Sequence, residues 1–452
     1  MNATSPQPAE AAQQVRAALP ADGLFAGHEW RVSPHPFPLE PSIVKELETL
    51  GRVLLQFYRA VNLLYRKSAE GKQPEWVARW LDQGKPAGLV ELQRSSAFKS
   101  DVPRVIRPDL LITENGLRVT ELDSVPGGIG LTAWLNRTYS KMGADVIGGA
   151  DGMLRGFASI FGDSPSVHIV VSEEAKTYRP EMHWVAQQLG SDRFQVREPD
   201  FAQFADGHAV YRFFELFDLA NVANSKQILA LASARRIRLT PPPKPLFEEK
   251  MLFALLWNRH LQGFWRQELG DGFFRRLQQL APYTWVVDPT PLPPQGAIPE
   301  LNLTDWQQLQ ALSQRERDLI LKVSGFSAHA WGARGVYLGS DLAHAEWAAA
   351  VNQAIADFSR SPYVLQRFHK PSLVDAEWFD FARNGIVPMK GRVRLCPYYF
   401  VGGDGDAARA QLSGILATIC PADKKIIHGM TDAIFAPCSA DSPASPGPAR
   451  QP

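Results

Sequence analysis

The stretch from Ile106 to Asp123 constrains this chain more than any other, because two strand-like runs flank Glu114-Asn115-Gly116. A three-residue loop with Gly116 in the left-handed conformation makes Thr113 face Leu117. Counting outward then pairs Asp109 with Glu121 and Arg107 with Asp123. Side chains alternate along a strand, so all four project from one face as cross-strand neighbours. A two-residue Asn-Gly turn shifts the register and puts Asp109 and Glu121 on opposite faces. The expected site therefore hangs on the turn type.

Three carboxylates and one guanidinium on a single face suit a specific chemistry. A few carboxylate oxygens hold magnesium, which keeps waters and takes its remaining ligands from nucleotide phosphates. Arg107 offers a terminal phosphate a planar fork that a lysine does not copy. A solvated hairpin face with ordinary cross-strand ion pairs accounts for the same residues, and pattern alone favours it. The following Ser124-Val-Pro-Gly-Gly-Ile-Gly130 shifts the balance, since a glycine-rich turn between strand and helix lets a ligand approach the backbone.

At 452 residues the chain exceeds what one hydrophobic core usually serves, and two or three lobes are expected. Residues 1–38 read as a flexible leader that ends in a proline-rich run. Residues 39–100 are mainly helical: Val44, Leu47, Leu50, Val53, Leu54 and Phe57 recur at three and four within a helix over 43–66, and shorter helices follow around 75–82 and 88–97. Residues 101–165 hold the hairpin and a helix over 131–142. Residues 166–244 alternate strands (167–172, 194–197, 209–214) with a helix over 178–189, up to the proline cluster 241–245. Residues 245–438 carry helices near 248–261, 303–314 and 346–358, and strands at 319–323, 335–338, 363–368 and 391–401. The tail 439–452 is Ser, Pro and Ala and is expected to be disordered.

Charge and cysteine usage exclude several classes. Lys plus Arg number 48 against 47 Asp plus Glu, so no overall field draws nucleic acid or an anionic membrane. No apolar run is long enough for a spanning helix, and the start lacks the basic-then-apolar order of a secretory signal. A cytoplasmic location is expected. Cys396, Cys420 and Cys438 are far apart, with no metal-ligand spacing, and read as buried free thiols.

Two further segments supply what a metal-bound nucleotide needs. Lys250 opens the apolar run Met251-Leu-Phe-Ala-Leu-Leu-Trp257. Lys322 lies on an apolar strand just before Ala330-Trp-Gly-Ala-Arg-Gly-Val336. A lysine in such a strand is costly unless it meets a charge partner or snorkels to solvent. Tyr363-Val-Leu-Gln-Arg-Phe368 reads as a buried strand of the kind that links two lobes around an adenine. No P-loop, nucleophile elbow or kinase catalytic loop is present.

Together these residues resemble the circularly permuted ATP-grasp superfamily, and within it the glutathionylspermidine synthase-like ligases. The motif that carries the resemblance is Arg107-Pro-Asp109, then eleven residues, then Glu121-Leu-Asp123. The resemblance implies an α+β, ATP-grasp-like fold, circularly permuted, with the nucleotide held between two α+β lobes behind a helical N-terminal region. It implies ATP and Mg2+ as cofactors, with Asp109, Glu121 and Asp123 as metal ligands and Arg107 on the transferred phosphate. Lys250, Lys322, Gly332, Arg334, Gly335 and Gln366 match its ATP-binding lysines, glycine lid and hinge. Pro126, Gly127 and Gly128 stand where the family's substrate turn lies. Asp123 replaces an Asn, and the lid reads Trp-Gly-Ala-Arg-Gly, both departures from the family pattern. The implied partners are a small-molecule or peptide carboxylate and an amine-type acceptor, joined through an acyl phosphate. A phosphotransferase on the same scaffold and a non-catalytic nucleotide-binding protein remain as alternatives.

Overall fold

Strand Gly385–Gly402 runs through the large sheet, and its alternation shows how the layers form. Val393, Leu395, Tyr399 and Val401 bury into one core, whereas Cys396, Tyr398 and Phe400 bury into another on the opposite face. The first face is covered by helix Pro41–Ala69 with helices Leu252–Trp257 and Gln262–Leu280; the second by helices Ile129–Lys141 and Gly152–Ser159. The computed structural model describes residues 7–21, 24–25, 30–293, 296–330, 334–427 and 432–440.

The large sheet runs in the order Arg31–Val32, Ile434–Ser439, Arg409–Pro421, Gly385–Gly402, Val105–Thr113, Gly116–Asp123. Leu373–Asp380 joins it on Gly385–Gly402 and Phe37–Pro38 on Ile434–Ser439. A parallel sheet, ordered Phe194–Arg197, Val167–Val171, Ala209–Phe213, Arg238–Thr240, shares the second core. A small antiparallel sheet, ordered Val336–Leu338, Leu319–Val323, Tyr363–Arg367, Thr284–Val286, has its own core against helix His344–Ala356. The architecture is mixed α+β with several sheets. Among the described residues, no helix is long and apolar enough to cross a membrane.

Several expectations need correction. Part of the leader over 1–38 is regular: helix Pro8–Ala17 buries Ala11, Ala12 and Val15, and Arg31–Val32 pairs with Ile434–Phe435. Its apolar stripe is too narrow to read as a helix until the second core covers it. The helix expected over 248–261 is the short Leu252–Trp257 between 3-10 turns, and that over 303–314 is a 3-10 turn, Trp306–Ala311. Strand Arg409–Pro421 escaped sequence reading because Ala410, Ser413, Gly414 and Ala417 weaken its β signature. The tail reading falls outside the described residues beyond Ala440, while Ser439 closes a strand.

Candidate active site

The hairpin turn is not the expected one. Thr113 pairs with Gly116, so the loop is the two-residue Glu114-Asn115, with Gly116 at φ +87°. Thr113 Oγ1 donates to the Gly116 carbonyl at 2.7 Å and receives the Asn115 amide at 3.3 Å. That register by itself would separate Asp109 from Glu121. Thr120 corrects it: the pairing passes from Leu110 with Val119 to Asp109 with Glu121, leaving Thr120 as a bulge. Arg107 then stands opposite Asp123, and the four charged residues share a face as expected, by a different route.

That face looks into a cavity of about 910 Å3. Arg107 and Asp109 from the first hairpin strand line it with Glu121 and Asp123 from the second. Lys250, Lys322 and Gln366 arrive from the small-sheet lobe and its entry segment. Arg107 Nε lies 3.0 Å from Asp109 Oδ1, and its Nη2 lies 3.1 Å from Asp123 Oδ2. Its Nη1 donates to the Gly127 carbonyl at 3.2 Å. Lys250 Nζ lies 2.8 Å from Glu121 Oε1 and donates to the Ala330 carbonyl at 3.0 Å. Lys322 Nζ donates to Gln366 Oε1 at 3.1 Å and to the carbonyl of the bulged Thr120 at 3.2 Å. Gln366 Nε2 in turn donates to Thr284 Oγ1 at 3.0 Å.

Sequence reasoning missed three of the polar groups here. Arg394 lies 3.0 Å from Asp109 Oδ2, and its Nε is buried without a hydrogen-bond partner among the described residues. Its signal was available: an arginine inside the apolar run 391–401 needs a buried partner. Glu181 accepts the Gly130 amide at 2.8 Å and caps helix Ile129–Lys141. Glu215 lines the same wall. No local pattern marks either one.

Burial sets the protonation of this site. It pushes Glu181 up to about 7 against the pull of backbone amides of Gly130, Gly128 and Leu131. Glu215 is raised well above the carboxylate range by burial, with Glu248 adding to it. Burial also raises Asp123, helped by the like charge of Glu121 and opposed by Arg107. Burial works to raise Asp109 as well, but Arg107 and Arg394 outweigh it and hold that carboxyl low. Lys322 falls to about 8, chiefly through burial.

The donor set fits a magnesium ion in part. Among the described residues, no three His, Cys, Asp or Glu side chains converge as a ready-made metal cage. Magnesium does not need one, since one or two carboxylates plus phosphates and waters suffice. Glu121 is 39% exposed, and the raised Asp123 beside it is a like-charged pair that a dication would relieve. Asp109 is 6% exposed with each oxygen against a guanidinium, and would join an ion only by giving one up.

The glycine segments divide. Gly127 and Gly128 line the cavity and Pro126 does not. Gly128, at φ +84°, precedes the helix whose first amides Glu181 already occupies, so that helix start is not an open anion site. Of the expected lid, Gly332 lies outside the described residues. Arg334 pairs with Glu174, and the Gly335 carbonyl accepts the Val323 amide at 3.1 Å. Neither Arg334 nor Gly335 lines the cavity, although Ala330 and Val336 do.

No protein-family model matches this chain, and no curated protein matches it in sequence. Among solved structures it is similar to a glutathione synthetase-like effector from Globodera pallida in its apo form, at a TM-score of 0.52 and 11% identity. That likeness covers 96% of this chain and 97% of that one. The likeness is one of fold. A putative gamma-glutamylcysteine synthetase from Methylobacillus flagellatus KT aligns over 82% of this chain and 85% of its own, at a TM-score of 0.37 and 12% identity.

Proposed function

We propose that this chain is an ATP- and Mg2+-dependent ligase of the circularly permuted ATP-grasp type, joining a carboxylate to an amine. One observation carries the reading: Arg107, Glu121 and Asp123 meet Lys250, Lys322 and Gln366 around one cavity, although the two sets come from distant parts of the chain. A metal-facing hairpin that precedes the phosphate-binding lysines in sequence is the permuted order. The full-length likeness of fold to a glutathione synthetase-like protein supports the same reading.

In this reading Lys250 and Lys322 hold the phosphates of ATP, and Gln366 with its strand meets the base. Magnesium on Glu121 and Asp123 would neutralise charge on the transferred phosphoryl group. Arg107 is fixed through Nε by Asp109, and its Nη2, which lies on Asp123, is the donor that would turn to the terminal phosphate. A carboxylate oxygen attacks the terminal phosphorus and ADP leaves, giving an acyl phosphate. The amine nitrogen then bonds to the acyl carbon as the acyl–oxygen bond breaks, and its proton leaves with the departing phosphate. Arg394, fixed by Asp109, adds a second guanidinium on the same wall. Ala330 and Val336, which line the cavity, would help keep water from the acyl phosphate.

The test is incubation with Mg-ATP and pools of amino acids, peptides and polyamines, followed by phosphate release and mass analysis. ADP, phosphate and a condensed product are expected. A phosphorylated acceptor without condensation would replace the ligase with a phosphotransferase.

A further inference from the structure

A second cavity shares no lining residue with the hairpin site. It measures about 1150 Å3, room for a small molecule. Six parts of the chain meet around it: helix Pro41–Ala69, the segment from Phe98 to Arg104, Ser164, the turn at Asp206 and Gly207, the turn into strand Arg238–Thr240, and the loop after strand Gly385–Gly402.

Its charge is one-sided. Seven Arg and Lys side chains face four Asp side chains on its wall, a surplus of three in a chain whose whole net charge is +1. Four of the cations are matched: Arg104 and Arg238 meet Asp404, Arg235 meets Asp101 at 3.1 Å, and Arg236 meets Asp206 at 2.7 Å. Arg59, Arg66 and Lys99 pair with none of the four acids, and Asp406 is the one acid outside these pairs among the described residues. Arg59 donates to the Gly405 carbonyl at 2.7 Å, a neutral partner. Arg66 reaches Glu70 at 3.7 Å, outside the cavity, and Lys99 makes no ion pair among the described residues. On the same wall Thr240 is 2% exposed, and its Oγ1 has no hydrogen-bond partner among the described residues.

Concave walls of one charge focus the field, and guanidinium forks from several directions match the oxygens of an oxyanion. A chain with almost no net charge gives a long polyanion nothing to follow beyond the cavity mouth. We infer that this second cavity is a binding site for a small, multiply charged oxyanion, a phosphate ester or a polycarboxylate, held by Arg59, Arg66 and Lys99. The ligand would tie the N-terminal helical region to the edge of the parallel sheet. Arg104 leads directly into the strand that carries Arg107 and Asp109, so the two cavities lie along one strand. This inference stands apart from the ligase reading.

The test is calorimetric titration of the full chain with pyrophosphate and with citrate, at low and at moderate salt. A site is expected that weakens with salt, weakens at least tenfold in Arg59→Glu/Lys99→Glu, and survives in Lys250→Met. Thermal melts check that each variant folds, and Lys99→Glu alone, at an exposed position, gives a graded readout. Tighter pyrophosphate marks a phosphate ester as the ligand class, and tighter citrate a polycarboxylate. No binding of either anion, binding unchanged in the Arg59→Glu/Lys99→Glu variant, or binding lost only in Lys250→Met overturns the inference.

Discussion

Lys250 Nζ stands 2.8 Å from Glu121 Oε1 and 3.0 Å from the Ala330 carbonyl, so one ammonium joins the hairpin to the segment after strand Leu319–Val323. Burial disfavours its charge, but Glu121 more than compensates and its pKa is raised. The Lys250 ammonium therefore stays charged across the neutral range.

Removing either hairpin acid is expected to end activity for different reasons. Glu121→Ala should cut Mg-dependent ATP turnover at least a hundredfold, with a smaller stability loss than Asp109→Ala, since it takes a half-exposed carboxylate from one buried cation, Lys250. Asp109→Ala leaves Arg394 buried without its carboxylate and Arg107 with Asp123 alone, a loss of about 3–5 kcal/mol. Urea unfolding and a phosphate-release assay separate the two. Full turnover in both variants would sink the site assignment.

Lys85 gives the helical N-terminal region a role at this site. Its Nζ lies 2.5 Å from Glu249 Oε1, both side chains fully buried, and Glu249 also accepts from Ser324. The Ser324 carbonyl accepts the Lys250 amide at 2.9 Å, so Lys85 braces the segments of both lysines. Lys85→Met strands Glu249 and should cost about 3–5 kcal/mol in urea unfolding. A loss under 1 kcal/mol would show that the pair is dispensable.

Lys322 makes stability depend on alkaline pH. Its folded pKa, about 8, lies below the ordinary lysine value of 10.5, mainly through burial, with Lys250 adding and Glu121 and Asp109 opposing. Between those values the unfolded chain binds more protons, so this term raises stability as pH climbs through the window and is lost as pH falls through 8. Lys322→Met should flatten the curve there. A wild-type profile without that slope contradicts the shift.

Gly127 has no room for a side chain. A Cβ there would strike the Tyr178 ring, while the Gly127 carbonyl must still receive Arg107 and the Tyr398 hydroxyl at 2.7 Å. Gly127→Ala should cost about 1–3 kcal/mol, and Tyr178→Ala in the same chain should recover part of it. Chemical denaturation of the single and double variants decides this, and an unaltered single variant counts against the crowding.

The sequence by itself determined the alternation that sets Arg107 beside Asp109 on one strand and Glu121 beside Asp123 on the other, because strand side chains repeat every second residue. It also marked Lys250 and Lys322, since charged groups in apolar runs need a reason, whereas Gln366 was marked by the family resemblance alone. Regular, strongly patterned elements such as helix Glu75–Asp82 and strand Leu319–Val323 were legible to the residue. Only the tertiary structure decided the rest. Whether the hairpin register held depended on the Thr120 bulge, whose carbonyl is taken by Lys322 from another lobe. Arg394 and Glu181 join the cavity because sheet pairing and helix capping bring distant segments together, and no local pattern encodes which partner a buried charge will find. Contacts between residues far apart in the chain answer to packing and electrostatics summed over the whole fold, which local spacing does not record.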